Sequence, residues 1–291
     1  MLIGAHCSGG VKGAVDKAVE IGADAVQLFT QSPRTWRPPN PDPEAYERFR
    51  ARREEAGLGA VFCHAIYLVN LAAPNDDVYE KSLASMRSTM EIACAIEADG
   101  VVFHVGSHLG SGFEHGLERA LPALEQVLER CSERTWLLME NSAGAGGTIG
   151  RSLEELATLF ERLDRHPRLG VCLDSCHLFV SGVDVTDPAA LDEVVESLDG
   201  SIGLDRLRCL HVNDSKAPLG SNRDRHENIL EGVMGEGLGT FLAHPAFQEL
   251  PVILEVAGLD NRGPNADEIR KTRELHARSA PTKRRARRPK G

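Results

Sequence analysis

The chain predicts an α/β fold: a single-domain (β/α)₈ TIM barrel. Three observations carry that expectation. Eight short apolar runs alternate with longer amphipathic segments along the sequence. The 291 residues are enough, since a barrel of this kind takes about 250. Aromatic residues make up only 5%, so the core must come mainly from Ala, Val, Leu and Ile, as in parallel strands buried on both faces.

The apolar runs, in order, are Leu2–Cys7, Ala25–Thr30, Ala60–Ile66, Gly100–Gly106, Trp136–Ser142, Leu169–His177, Leu207–Asp214 and Val252–Val256. Helical segments separate them. Val78–Glu97 carries Leu83, Met86, Met90, Ala93 and Ile96 at three- and four-residue steps, and Gly116–Cys131 carries Leu117, Leu121, Leu124 and Leu128. That spacing puts the apolar side chains on one helix face. Ser152 followed by Glu155 reads as a capping box opening another helix. Repetition of βα eight times favours a closed parallel barrel over an open doubly wound sheet. An open sheet gathers its site residues at a switch point between about two strands, whereas here at least six strands contribute.

The contributing residues stand at strand ends. His64 follows AVFC and His104 follows GVVF. Glu140 lies in LLMEN. Asp174 and His177 end the sixth strand in GVCLDSCH, and His211 lies in LHVND. Asp224 and His226 form a D-x-H pair in the following loop, where extended backbone points both side chains the same way. Glu255 lies in VILEV. A carboxylate after three apolar residues in a buried strand is costly unless a cation pairs with it, so Glu140 and Glu255 are the strongest individual signals. Any one of the histidines alone reads equally well as a packed core residue. Nine such side chains at barrel-mouth positions are better explained by one multinuclear metal site.

Imidazole and carboxylate without thiolate suits Zn²⁺, and also Mn²⁺ or Fe²⁺. Nine ligands are too many for one ion. Three ions with three or four ligands each leave positions open for water and substrate. Clustered divalent ions of this kind lower the pKa of a shared water to ~7 and stabilise both oxygens of an in-line displacement. The matching substrate is a phosphate ester.

The formal charge is −10. Lys283–Lys290 (KRRARRPK) holds six positive charges, and without it the balance falls to −16. An acidic body is an unusual partner for DNA phosphates, but three divalent ions would bring the whole chain to −4. Composition therefore neither supports nor excludes nucleic acid. Residues 1–278 read as one domain. Residues 279–291 are basic, proline-punctuated and without a large apolar side chain, which reads as a disordered tail.

The seven cysteines include no CxxC pair. They read as small core residues in a reducing cytoplasm. Cys63 and Cys176 adjoin proposed ligands, but alternation along a strand would point them away. MLIGAHCSGG lacks the pattern of a secretory signal, and no apolar run reaches the roughly 18 residues of a membrane span. The expectation is a cytoplasmic protein. No feature demands a dimer, so a monomer is expected.

HAIYLVN, FHVGSH, LLMENSAGAGGTIG, GVCLDSCH, LHVNDSK and DRHENI together resemble the endonuclease IV family of apurinic/apyrimidinic (AP) endonucleases. The resemblance runs from GAHCS to VILE. It implies a trinuclear zinc site in a (β/α)₈ barrel that cuts double-stranded DNA 5′ to an abasic site in base-excision repair, leaving a 3′-hydroxyl and a 5′-deoxyribose phosphate. Carried over, Glu140 would bridge two ions and be central to catalysis. His64 and His104 would complete the first site, Asp174, His211 and Glu255 the second, and His177, Asp224 and His226 the third. A hydroxide shared between ions would attack phosphorus. Arg34 in SPRTW and Tyr67–Leu68 would enter the DNA minor groove, where a wedge can fill a gap in the stack; an abasic nucleotide is cheap to flip.

Two departures stand out. FHVGSH lacks the proline that usually follows the first histidine, and VAGLDNRGP replaces a shorter run after Glu255. The alternative is a sugar isomerase or epimerase on a related barrel, needing only Glu140, Asp174, His211 and Glu255. The other five candidate ligands discriminate against it. A noncatalytic lesion binder is a third reading, but it would not need to keep costly buried carboxylates.

Overall fold

The computed structural model describes residues 1–280. The expectation for the basic tail lies almost wholly outside them. Ser279, expected to belong to that tail, is instead the last residue of the final helix.

The eight expected strands all form. They are β1 (Leu2–His6), β2 (Ala25–Phe29), β3 (Ala60–His64), β4 (Gly100–Phe103), β5 (Trp136–Glu140), β6 (Leu169–Asp174), β7 (Leu207–His211) and, after a small hairpin, β10 (Pro251–Leu254). They pair in parallel in chain order, and β10 closes on β1. The hairpin of β8 (Asp214–Ser215) and β9 (His226–Glu227) projects between β7 and β10. Helices α1 (Gly10–Glu20), α2 (Pro43–Ala56), α3 (Asp76–Ala95), α4 (Phe113–Leu128), α5 (Leu153–Arg162), α6 (Ser175–Ser181), α7 (Pro188–Ser201), α8 (Leu238–Ala243) and α9 (Ala266–Ser279) complete the chain. No helix among the described residues is long and apolar enough to cross a membrane.

Two apolar layers explain why the strands read as unbroken runs. Inside the barrel lie Ala25, Ala60, Phe62, Val102, Leu138, Cys172, Cys209 and Ile253. Their strand neighbours, among them Val26, Val61, Val101, Leu137, Val171, Leu210 and Val252, pack outward into the larger core shared with the helices. Successive residues alternate between the layers, as the pleat requires. The sequence offers no polar face because neither face meets water.

Most strands stop short of the apolar runs. β3 ends at His64, yet Ala65 and Ile66 stay buried. Burial continues where the chain turns over the mouth, but ladder pairing does not. The expected capping box is rearranged. Ser152 Oγ accepts from the Glu155 amide at 3.3 Å, while the Glu155 carboxylate accepts from the amides of Gly150 and Arg151 instead of that of Ser152. The helix start is still satisfied, with the carboxylate serving the turn before it.

Candidate metal centre

Each barrel strand delivers one polar side chain to the mouth. His6, Gln27, His64, Glu140, Asp174 and His211 lie on β1, β2, β3, β5, β6 and β7, and His104 and Glu255 follow β4 and β10 directly. Six of the eight are among the nine candidates named from the sequence; His6 and Gln27 are not. His177 is not on a strand. It sits in the first turn of α6, whose amino end is capped by Asp174 accepting from the His177 amide at 2.8 Å. Asp224 lies in the loop before β9, and His226 opens β9.

The nine candidate residues converge. Glu140 is fully buried. Its Oε2 lies 3.1 Å from His64 Nε2 and 3.4 Å from His104 Nε2. Its Oε1 lies 3.1 Å from His211 Nδ1 and 3.1 Å from His177 Nδ1. His211 Nδ1 also stands 3.1 Å from Glu255 Oε2 and 4.0 Å from Asp174 Oδ2. His177 Nε2 faces Asp224 Oδ2 at 3.3 Å, and His226 Nε2 faces Asp224 Oδ1 at 3.2 Å. The Asp224–His226 pair does point one way.

Potential donor atoms fall into groups within 4.8 Å of one another: His64, His104 and Glu140; His64, His211 and Glu255; and Asp174, His177 and His226. The first matches the set implied by the family resemblance. Asp174 is shared differently: it stands close to His211 but groups with His177 and His226.

The imidazoles are oriented from behind. His64 Nδ1 donates to the Ala65 carbonyl at 2.7 Å, which leaves Nε2 facing Glu140. His177 Nδ1 donates to the Asn141 carbonyl at 3.0 Å, which leaves Nε2 facing Asp224. His211 Nε2 donates to Gln27 Oε1 at 2.9 Å, which leaves Nδ1 facing the carboxylates. Gln27 Nε2 donates to Glu255 at 2.6 Å and to His6 Nδ1 at 3.1 Å. Asn213 donates to Asp174 Oδ2 at 2.6 Å and accepts from the Glu255 amide at 2.8 Å. Outer hydrogen bonds that fix ring tautomer and carboxylate direction are the usual support of a metal site.

The electrostatics fit cations. Burial pushes His211 down, but Glu255 and Glu140 outweigh it and hold its pKa well above the ordinary imidazole value. Burial likewise opposes charge on His177, and Asp174, Asp224 and Glu140 reverse the balance upward. Burial raises Glu140 and Glu255, yet the surrounding histidines bring both well below the usual carboxylate range. Asp224 falls to about 2 against its own burial, chiefly through the hydrogen bond and charge of His177. His177 Nε2 and His226 Nε2 meet at 3.4 Å, and two ring nitrogens so placed need a proton or an ion between them. His104 Nδ1 is buried without a partner, so its ring lacks the rear support that His64, His177 and His211 have. The residues present fit divalent cations.

Thiols lie nearby but are poor ligands: Cys172 and Cys209, inside the barrel, come within 4.8 Å of a His211 donor atom, and burial pushes the Cys172 thiol well above its usual range. Cys63 faces the outer core as expected. Cys176 does not point away: being helical, it brings its sulfur within 4.8 Å of donors on Asp224 and His226. Burial pushes its thiol to about 12, so it stays protonated and is a poor ligand.

A cavity of about 420 Å³ opens over the ring, lined by His6, His64, His104, His177, Asp224, His226, Glu255 and Tyr67. Tyr67 is 72% exposed and stands edge-on to Phe29. Leu68 is half-buried against the core, and Arg34 is exposed on the rim. The loop after His104 is tied down by Asn70, which accepts from the Ser107 amide and donates to the Ser107 carbonyl, both at 2.9 Å. In the loop after Glu255, Asp260 and Asn261 adopt successive left-handed conformations at φ 57° and 56°.

The xylose isomerase-like TIM barrel family model matches residues 15–278. A "Probable endonuclease 4" of Natronomonas pharaonis is 39% identical over 277 residues, covering 94% of this chain and 98% of that protein. A protein of the same name from Thermosipho melanesiensis is 40% identical over 261 residues, covering 88% of this chain and 92% of that one. The crystal structure of endonuclease IV from Thermus thermophilus superposes with a TM-score of 0.83 at 37% identity, covering 96% of this chain and 100% of that one. A D-tagatose 3-epimerase-like protein shares the fold at a TM-score of 0.69 and 19% identity, covering 96% of this chain and 97% of that one.

Proposed function

This chain belongs to the endonuclease IV family within the xylose isomerase-like TIM barrels, and on that premise we propose that it is an AP endonuclease of base-excision repair. It hydrolyses the DNA phosphodiester 5′ to an abasic site, leaving a 3′-hydroxyl and a 5′-deoxyribose phosphate. The observation that carries the reading is the convergence of nine imidazole and carboxylate side chains on Glu140 and its neighbours.

Three divalent ions, zinc by donor type, would be held by this set. His64 and His104 would hold one, His211 and Glu255 a second, and His177, Asp224 and His226 a third, with Glu140 and Asp174 as further carboxylate ligands of the cluster. When bound, such ions supply a hydroxide nucleophile near neutral pH and neutralise charge on the attacking and leaving oxygens. The chain's own part is orientation. Gln27, Asn141 and Asn213 hold the rings and carboxylates in direction. Tyr67, Leu68 and Arg34 stand at the rim, where an extruded abasic nucleotide leaves a gap to be filled. The partner is duplex DNA carrying an abasic site.

The test is incision of an end-labelled duplex with one abasic analogue. A single cut 5′ to the lesion, with a terminus that a polymerase extends, is expected. An intact duplex across a range of added divalent metals contradicts the proposal. The epimerase reading uses four of the nine residues and leaves His64, His104, His177, Asp224 and His226 without a purpose.

A further inference from the structure

Beside the metal cavity lies a second cleft of about 720 Å³, which shares His6, Tyr67 and Gly263 with it. None of its lining residues is Asp or Glu, in a chain of net charge −10. Two guanidinium groups, Arg34 and Arg262, line it, and neither takes part in the salt bridges among the described residues. Arg262 is exposed and follows the left-handed pair Asp260–Asn261.

His6 forms the wall between the two cavities. Its Nδ1 stands 3.5 Å from Glu255 Oε1 and 3.1 Å from Gln27 Nε2, an amide nitrogen that can only donate, so Nδ1 accepts and the ring proton is on Nε2. Among the described residues that Nε2 has no hydrogen-bond partner, and it is not among the buried atoms left unsatisfied. It therefore opens onto the space that His6 lines. A donor with a fixed tautomer and an unpaired guanidinium, in a cleft free of carboxylates, are what a phosphodiester group requires.

We propose that this cleft seats the DNA phosphate flanking the scissile one, with His6 Nε2–H and Arg262 as its donors. The inference rests on the nuclease reading and adds two substrate-positioning residues to it. Arg262 supplies charge, and His6 supplies a directed hydrogen bond at the border with the metal centre.

The experiment uses full-length protein and abasic duplexes in which one backbone phosphate at a time is replaced by a neutral methylphosphonate. One flanking position is expected to cost the wild type about tenfold in kcat/KM, the scale of a lost charge-assisted hydrogen bond. Arg262→Ala should lose a similar factor, become insensitive to neutralisation there, and shallow the salt slope by about 0.9. His6→Asn removes the Nε2 donor and should lose activity, while His6→Gln, whose amide reaches the Nε2 position, restores part of it. Zinc content should equal that of the wild type in all three variants. Wild type that nicks normally, with no position at which Arg262→Ala abolishes the neutralisation effect, overturns this inference alone. Loss of zinc in His6→Asn removes His6 from the proposal and assigns it to the metal centre. Wild type that never nicks overturns the parent reading and this one with it.

Discussion

His211 and Gln27 are joined across the barrel mouth by a 2.9 Å hydrogen bond from the imidazole Nε2 to the amide oxygen. They lie 184 residues apart, on β7 and β2. Through this contact a neutral side chain decides which nitrogen of His211 faces Glu140 and Glu255. Gln27→Leu frees the ring and also removes the donor to Glu255. Zinc affinity should fall by about 10- to 100-fold, measured by titration against a competing chelator. Affinity equal to wild type would show that the ring is held by something else.

His226→Ala should remove one bound ion and most incision, because His226 Nε2 shares Asp224 and the face of His177. The barrel lies beneath this residue, so far-UV circular dichroism should not change. Full activity on abasic duplex would remove His226 from the site.

Protons and metal ions compete for His177 and His211. Both have folded pKa values above the ordinary imidazole value. In chelated protein their contribution to stability is complete below the unfolded value of about 6.5 and is lost as pH rises through the raised folded values. Glu140 and Glu255 act oppositely: their contribution is present above about 4.3 and lost as pH falls through their depressed values. Chelated protein should therefore melt at lower temperature as pH rises above about 6.5, while zinc binding strengthens because ligands need no longer shed protons. A chelated protein that grows more stable over that range would refute this assignment of charge.

Tyr67→Ala should leave zinc content unchanged and reduce kcat/KM on abasic duplex. Its ring is exposed above the metal cavity and loosely backed by Phe29 at 5.2 Å between centroids. Loss of base stacking is worth about 1–3 kcal/mol, or roughly five- to 150-fold. An unchanged kcat/KM would return Tyr67 to the role of a rim residue.

The barrel and most of its ring could be read in the sequence for one reason. A charged or imidazole group closing an apolar run is conspicuous, so His64, His104, Glu140, Asp174, His211 and Glu255 stood out. Gln27 did not, because a neutral amide inside AVQLF carries no charge signal; its importance appears only when strand register sets it against His211. His6 closes the first apolar run, MLIGA, as His64 closes AVFC; its position carried the same signal, and only the structure shows that it contacts Gln27. LGVCLDSCH reads as one strand through His177 because no glycine or proline interrupts it after Gly170, although Asp174 caps a helix there. The same misreading made Cys176 seem to face away. The β8–β9 hairpin, with two residues in each strand, is too short for any periodicity. Its position depends on Asp214, a fully buried carboxylate that accepts from the amides of Ser215, Gly232, Met234 and Gly235.

The most direct test of the metal centre is stepwise reconstitution of chelated protein with zinc while incision of an abasic duplex is followed. Activity should stay low through the first equivalent and reach its plateau near three per chain, as expected if nine side chains cage a cluster. A plateau at one equivalent, or no incision at any loading, would contradict the account.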